Sequence, residues 1–402
     1  MTTSALRLLI ICAGLLVSLQ TASAIDPIKI GIITAPSTPA PQAQQTRDGL
    51  EIALKMVNDA GGALGRPLEL VFHERQGASD TADAALEQLI KQNKLSALVG
   101  AHQGASALAE VEVAHKHKVP YIADSRLRAV GEKLYPEVFN IGISNEQIAL
   151  AIAQAMKSLS AKRVLALTDN TDNGIELANR LGHQLNNSEL GIQYAFETLD
   201  PAAKDFSAAL QPHKANPPDV VVQMLRPPAA YAVLEQQQRQ GVAPTAKTLI
   251  YDSAALIEDP AFWQNVKEAS PGMLVLGLNH PRMPVTEVGG NVNEAYKAKT
   301  GKAASGAVLQ AADDVLMIAE AIKTGGSSEP EAIVKSLENL KWTGARGRIT
   351  FSTDKDEYSY HQWPDVPFVT YQITAPNQSI ADTTLVQEPG QPLDAARVQK
   401  PK

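Results

Sequence analysis

The stretch from Ala97 to Leu108, Ala-Leu-Val-Gly-Ala-His-Gln-Gly-Ala-Ser-Ala-Leu, gathers residue types that could hold a small ligand. Its pattern predicts a short buried strand over Ala97–Val99 that breaks at Gly100 and reopens as a helix near Gly104 or Ser106. Glycines at both ends of the turn let the backbone approach whatever lies on it. The first helical turn has free N–H groups and the positive end of a dipole, so a carboxylate would sit there readily. His102 and Gln103 would point over the floor of such a site, with Gly104, Ala105 and Ser106 at the helix start. Open α/β sheets hold small ligands at turns of this kind on their carboxyl edge. An ordinary β–α connection with nothing bound would look the same.

Catalytic spacings are absent. There is no Gly-x-Ser-x-Gly elbow, phosphate loop or His-Glu-x-x-His, and Gly61–Gly65 lacks the spacing of a dinucleotide fingerprint. His115 and His117 are two apart on a predicted helix, which puts them on different sides and makes a poor metal pair. Asp169 with Asp172, and Asp313 with Asp314, read most simply as solvated turn and helix positions. We therefore expect no enzyme, no catalytic residues, no cofactor and no metal site.

The elements around this stretch alternate. Strands are predicted at Ile28–Ile33, Leu68–His73, Ala97–Val99, Val119–Ala123 and Phe139–Ile143, with helices at Gln44–Ala60 and Ser79–Gln92 between them. After a helix at Glu146–Leu159 the alternation restarts, with strands Arg163–Thr168, Ile192–Leu199, Asp219–Leu225, Thr248–Tyr251 and Met273–Gly277. Helices at Gly174–Leu185, Phe206–His213 and Ala229–Gln240 separate them. Helices at Asn291–Lys299, Ala304–Thr324 and Pro330–Leu340 follow, then strands Gly347–Phe351 and Val366–Ile373. From Ala375 the chain has no period and reads as a loosely ordered polar tail. Two successive β–α sets predict an α/β fold of two doubly wound parallel-sheet lobes joined by a multi-strand hinge. The expected boundaries are 25–141 with 277–362 for the first lobe, 142–276 with 363–376 for the second, and 377–402 for the tail.

Composition and address narrow the class. The 402 residues are 44% hydrophobic and 20% charged, enough for two domains with real cores. Residues 1–24 hold Arg7, an apolar run from Leu8 to Leu19 and a Thr-Ala-Ser-Ala end, which describes a secretory signal peptide cut after Ala24. The single cysteine, Cys12, lies inside it, so the exported chain would have no disulfide and no thiol nucleophile. Acidic residues outnumber basic ones by 43 to 36 without basic runs, which argues against nucleic acid as a partner.

Ile28–Ile33, the segment Gln-Gln-Thr-Arg-Asp-Gly-Leu-Glu-Ile-Ala-Leu-Lys-Met-Val-Asn-Asp-Ala-Gly-Gly-Ala-Leu-Gly-Arg-Pro-Leu-Glu-Leu, Ala-Leu-Val-Gly-Ala-His, Val-Pro-Tyr-Ile-Ala, Lys-Asp-Phe-Ser-Ala-Ala-Leu and Gly-Arg-Ile-Thr-Phe occur in that order. Together they resemble the type I periplasmic binding proteins, in particular the leucine/isoleucine/valine-binding receptors of ABC transporters, from about Ile28 to Ile373. The resemblance implies a monomeric two-lobed clamp that captures a small-molecule ligand in the periplasm and delivers it to ABC transporter membrane permease subunits. It implies ligand contacts at Gly100–Ser106 and at Asp124, Ser125 and Arg126 in one lobe. In the other it places them at Asn173, around Arg226, and at Asp252 or Ser253.

The chain departs from that family pattern. The hydroxyl residue at the helix start falls on Gly104, the small-hydroxyl loop is Asp124-Ser125-Arg126, the turn tyrosine is Asn173, and Asp252 stands one place early. A guanidinium is a planar fork that matches a carboxylate bidentately, so Arg126 and Arg226 would suit a solute with one or two carboxylates and no ammonium. Either arginine could instead be a solvated surface residue or pair with Asp124, Asp169 or Asp172; Asp252 could hold an ammonium or hydroxyl, or cap a helix. The expected function is a periplasmic substrate-binding protein for a carboxylate-bearing solute, an amino acid or an organic or aromatic acid. The alternatives are a conventional branched-chain amino acid receptor and a ligand sensor for a membrane signalling partner.

Overall fold

In the computed structural model the described residues are 25–34, 40–75, 81–100, 105–123, 133–186, 191–257, 259, 261–283, 285–356 and 359–401. The chain begins with β1 (Ile28–Thr34), α1 (Ala40–Asp59), β2 (Leu68–Glu74), α2 (Thr81–Asn93), β3 (Ala97–Gly100), α3 (Ala105–His117), β4 (Tyr121–Ala123) and β5 (Val138–Asn140). These strands form a parallel sheet in the order β2-β1-β3-β4-β5.

A second set follows: α4 (Asn145–Ser158), β6 (Arg163–Asp169), α5 (Asp172–Asn186), β7 (Gln193–Leu199), α6 (Ser207–Ala215), β8 (Val220–Met224), α7 (Ala229–Gln240), β9 (Leu249–Ser253), α8 (Ala254–Ile257), α9 (Phe262–Val266) and β10 (Met273–Gly277). The chain then returns through α10 (Glu287–Thr300), α11 (Gly306–Gly325), α12 (Pro330–Glu338) and a two-residue hairpin of β11 (Trp342–Thr343) with β12 (Arg348–Ile349). It ends in β13 (Val369–Gln372) and β14 (Thr384–Gln387), giving a second sheet ordered β14-β13-β10-β9-β8-β6-β7.

Strand residues alternate between two buried faces, as parallel sheets require. In the first lobe Ile30, Ile32, Ala97 and Val99 pack with Leu50 and Ala53 of α1 and with Val315, Ile318 and Ile322 of α11. Ile33, Leu98 and Tyr121 pack on the opposite face with Leu86 of α2 and Val111 of α3. The α1–α11 contact is close because Gly49 has no side chain: a Cβ there would run into the Val308 carbonyl oxygen. In the second lobe Leu165, Val221 and Ile250 face α6 and α7, whereas Val164, Val222 and Tyr251 face α4 and α5. Each lobe is thus a helix–sheet–helix sandwich.

Two expectations change. The second sheet is not purely parallel, since β13 runs antiparallel to β10 and β14 antiparallel to β13. The segment after Ala375 is also ordered rather than loose. It supplies β14, buries Val386 and Leu393, and returns to β13, where the Gln372 side chain donates to Gln399 O at 2.7 Å and accepts from its N–H at 2.8 Å. Four residues carry no visible period, and the strand exists because β13 offers an unpaired edge.

Candidate functional site

The turn after β3 leaves from the carboxyl edge of the first sheet, where Gly100 lies in register with Ile33 and Ala123, and Ala123 with Asn140. A Cβ on Gly100 would fall inside the Tyr121 hydroxyl, so the chain needs glycine there for a close approach to a phenol. The Tyr121 hydroxyl donates to Glu110 Oε2 at 2.6 Å, and Glu110 Oε1 lies 3.6 Å from Arg75 Nη1. Both charged side chains are buried. Arg75 follows β2, and its N–H donates to Thr34 O at 2.9 Å. On the same strand, burial lowers the basicity of His73 against the opposing charge of Glu110.

The backbone of Ala105 and Ser106 forms the first turn of α3, within the start that the sequence pattern predicts. His102, Gln103, Gly104, Asp124, Ser125 and Arg126 lie outside the described residues, as do residues 1–24.

Residues 141–144 join β5 to α4, and their number fixes how the lobes face. A helix that precedes a parallel strand runs antiparallel to it and starts level with the strand's carboxyl end. Four residues after leaving the first sheet's carboxyl edge, the chain is therefore at that of the second. Asn145, the first residue of α4, confirms it by donating through Nδ2 to Asn173 Oδ1 at 3.2 Å, in the first turn of α5 just past β6. The link thus runs from the carboxyl edge of the first sheet to that of the second.

On the second wall β6, β8 and β9 are neighbours, ending at Asp169, Met224 and Ser253. Asp169 Oδ1 accepts from the N–H of Thr171 at 3.1 Å and from its hydroxyl, while Thr171 Oγ1 accepts from the Gly174 N–H at 3.1 Å. That turn fastens the start of α5 and holds Asn173 in place. Arg226, just past β8, is exposed, and its guanidinium has no ion pair or hydrogen bond among the described residues. It does not pair with Asp169 or Asp172. Ser253 is exposed at the end of β9.

Asp252 behaves differently. β9 runs two residues beyond the predicted strand, so Asp252 lies within it and faces α7. Its side chain is buried; Oδ2 accepts from Gln223 Nε2 at 2.8 Å and Oδ1 from the Ser253 N–H at 2.6 Å. Gln223 Oε1 in turn accepts from Gln237 Nε2 at 2.9 Å. Burial pushes the carboxyl up to about 8, with the Ser253 N–H and the Gln223 amide pulling the other way.

Sequence reasoning missed Asn145, Gln223, Gln237 and Arg75. The signal for Gln223 was present: one amide closes an otherwise apolar Val-Val-Val strand at an inward position. Asn145 and Arg75 gave no comparable cue, because their partners are 28 and 35 residues away in the chain. Among the described residues no group of three His, Cys, Asp or Glu side chains could hold a metal ion, and no helix is long and apolar enough to cross a membrane.

A family model described as periplasmic binding protein matches residues 27–367. A Pseudomonas aeruginosa protein named leucine-, isoleucine-, valine-, threonine-, and alanine-binding protein is 24% identical over 350 residues, covering 85% of this chain and 91% of that protein. The crystal structure of a putative branched-chain amino acid ABC transporter protein from Silicibacter pomeroyi superposes with a TM-score of 0.78 at 21% identity, covering 94% of this chain and 100% of the other. A solute-binding protein of an ABC transporter from R. palustris, solved with benzoate, superposes with a TM-score of 0.68 at 16% identity, covering 92% and 99%.

Proposed function

The chain belongs to the periplasmic binding protein family, and from that premise we propose that it closes its two lobes over a small carboxylate-bearing solute and hands it to an ABC permease. It acts as a monomer cut after Ala24 and performs no chemistry on the solute. The observation that supports the choice of solute is the contrast at the second wall. Arg226 is exposed at the strand ends with its fork unengaged, and the nearby carboxyl of Asp252 is turned inward with both oxygens occupied. An exposed guanidinium with no partner among the described residues favours an anion over an ammonium. Arg226, Asn173 and Ser253 would face the solute from this wall, with the segments 102–106 and 124–126 opposite. Residues 25–141 with 277–362 and residues 142–276 with 363–376 are the proposed moving bodies, and residues 377–402 travel with the second.

The names of the curated relatives favour a second reading, an α-amino acid receptor. Thermal unfolding of residues 25–402 against amino acids and their keto-acid, aromatic-acid and dicarboxylic-acid counterparts separates the two. A solute at 100 times its dissociation constant stabilises the protein by about 2.7 kcal/mol, a rise of a few degrees. Shifts by carboxylates lacking an amine support the first reading, and shifts by leucine and its relatives alone overturn it.

A further inference from the structure

Three segments link the lobes: residues 141–144, 278–286 and 363–368. The first and third are joined side by side. The Asn140 N–H donates to His361 O at 2.9 Å, the Trp363 N–H donates to Asn140 O at 3.0 Å, and Asn140 Nδ2 donates to Gln362 Oε1 at 2.8 Å. One charged side chain touches both. Arg346, between β11 and β12 in the first lobe, is 8% exposed. Its Nε donates to Asp313 Oδ2 of α11 at 2.9 Å, and its Nη1 reaches Gln310 Oε1 at 3.3 Å and the carbonyl of Ile141, on the first link, at 3.4 Å. Its guanidinium carbon stands 4.8 Å over the ring of Trp363, on the third link. Trp363 is fully buried and carries the connection onward: its carbonyl accepts from Gln147 Nε2 of α4, in the second lobe, at 2.5 Å.

The two ends of this chain of contacts differ in tightness. At the first lobe Asp313 also accepts from the N–H groups of Ala345 at 2.5 Å and Arg346 at 3.2 Å, so the guanidinium is anchored. At the links it is loosely held, because the Ile141 contact is long and Nη2 is buried with no hydrogen-bond partner among the described residues. A fixed fork with a spare donor, against two paired strands, lets those strands slide and exchange carbonyls while the charge stays paired.

We propose that Arg346 is the positioning residue of the hinge, a bearing anchored on Asp313 that sets the resting angle between the lobes. The inference rests on the closure reading above and touches none of the proposed solute contacts. Hinge positions absorb the motion of closing lobes and are commonly remote from the ligand.

The test needs no solute. In a chain carrying Cys12→Ser, cysteines at the exposed positions Glu69 of the first lobe and Lys214 of the second take a donor and an acceptor dye. Single-molecule transfer then reads the interlobe distance. Arg346→Met should shift or broaden that distribution beyond the wild-type spread, and Arg346→Lys should restore part of it. If Arg346→Met fails to fold, Trp363→Phe weakens the same contact and should move the distribution in the same direction. A distribution unchanged by these variants, with only the melting temperature lowered, makes Arg346 an ordinary structural ion pair and overturns the inference. A single narrow distance in the wild type that no variant moves overturns the closure reading as well.

Discussion

Both lobes bury polar side chains just beneath the carboxyl edge of their sheet, and they neutralise them in opposite ways. In the first lobe Glu110 meets a cation, Arg75, and a phenol, Tyr121. In the second, Asp252 meets only amides, those of Gln223 and its own neighbour Ser253, and its carboxyl is pushed up to about 8. An ion pair keeps its charges and depends on both partners, whereas a lone buried acid sheds its charge by taking a proton. The second lobe therefore turns the Asp252 carboxyl inward, away from the exposed Arg226 at that edge.

The strap on the second lobe should show the largest effect. Truncation after Ala375 removes β14 and the buried Val386 and Leu393, each contributing about 1.5–3 kcal/mol at most. Hydrogen exchange should speed up in β10 and β13 and stay unchanged in β1 and β3; equal losses in both lobes would break the separation drawn here.

Removing one partner of the first lobe's ion pair comes next. Arg75→Met removes the cation beside the buried Glu110 and should cost about 3–5 kcal/mol in urea unfolding. Arg75→Met with Glu110→Gln should recover much of that, because no unpaired charge remains. Failure of the double variant to improve on the single would mean that the pair's charges are not the issue.

Gly100→Ala is smaller, about 1–3 kcal/mol, because the new methyl must displace the Tyr121 ring. Combining it with Tyr121→Phe, which removes the hydroxyl occupying that space, should cost less in thermal midpoint than the two single losses added together.

The most specific effect is a pH dependence. The Asp252 carboxyl is raised above its unfolded value near 3.9, so its protonated form favours the folded state below that pH and the benefit is lost as pH rises through about 8. Wild-type stability should therefore fall relative to Asp252→Asn as pH rises from about 4 toward 8, and level off above that. Parallel pH profiles for the two proteins would show that Asp252 stays charged.

Much of the fold was legible because it rests on local periodicity. The alternation of apolar strands with one-sided helices gave both sheets, and β3 ends at Gly100, where residue type alone put the break. What could not be read depends on partners distant in the chain. Thr384–Gln387 is a strand only beside β13. Asp252 looked like a loop residue, because the register that pairs Leu276 with Ser253 and so extends β9 is a tertiary fact. Arg346 carried no local mark, since its anchor, Asp313, lies 33 residues upstream on α11. The strand ends were legible, and the direction in which a side chain such as Asp252 turns was not.

The central claim is that a carboxylate docks on Arg226. Calorimetric titration of wild type and Arg226→Ala with the panel carboxylate giving the largest thermal shift, and with its neutral amide, tests it most directly. A charge-assisted hydrogen bond is worth about 1.5–3 kcal/mol, so Arg226→Ala should weaken the carboxylate about 10- to 150-fold, and the amide should bind wild type comparably weakly. Equal affinity of both proteins for the carboxylate, or equal binding of acid and amide to wild type, would contradict it.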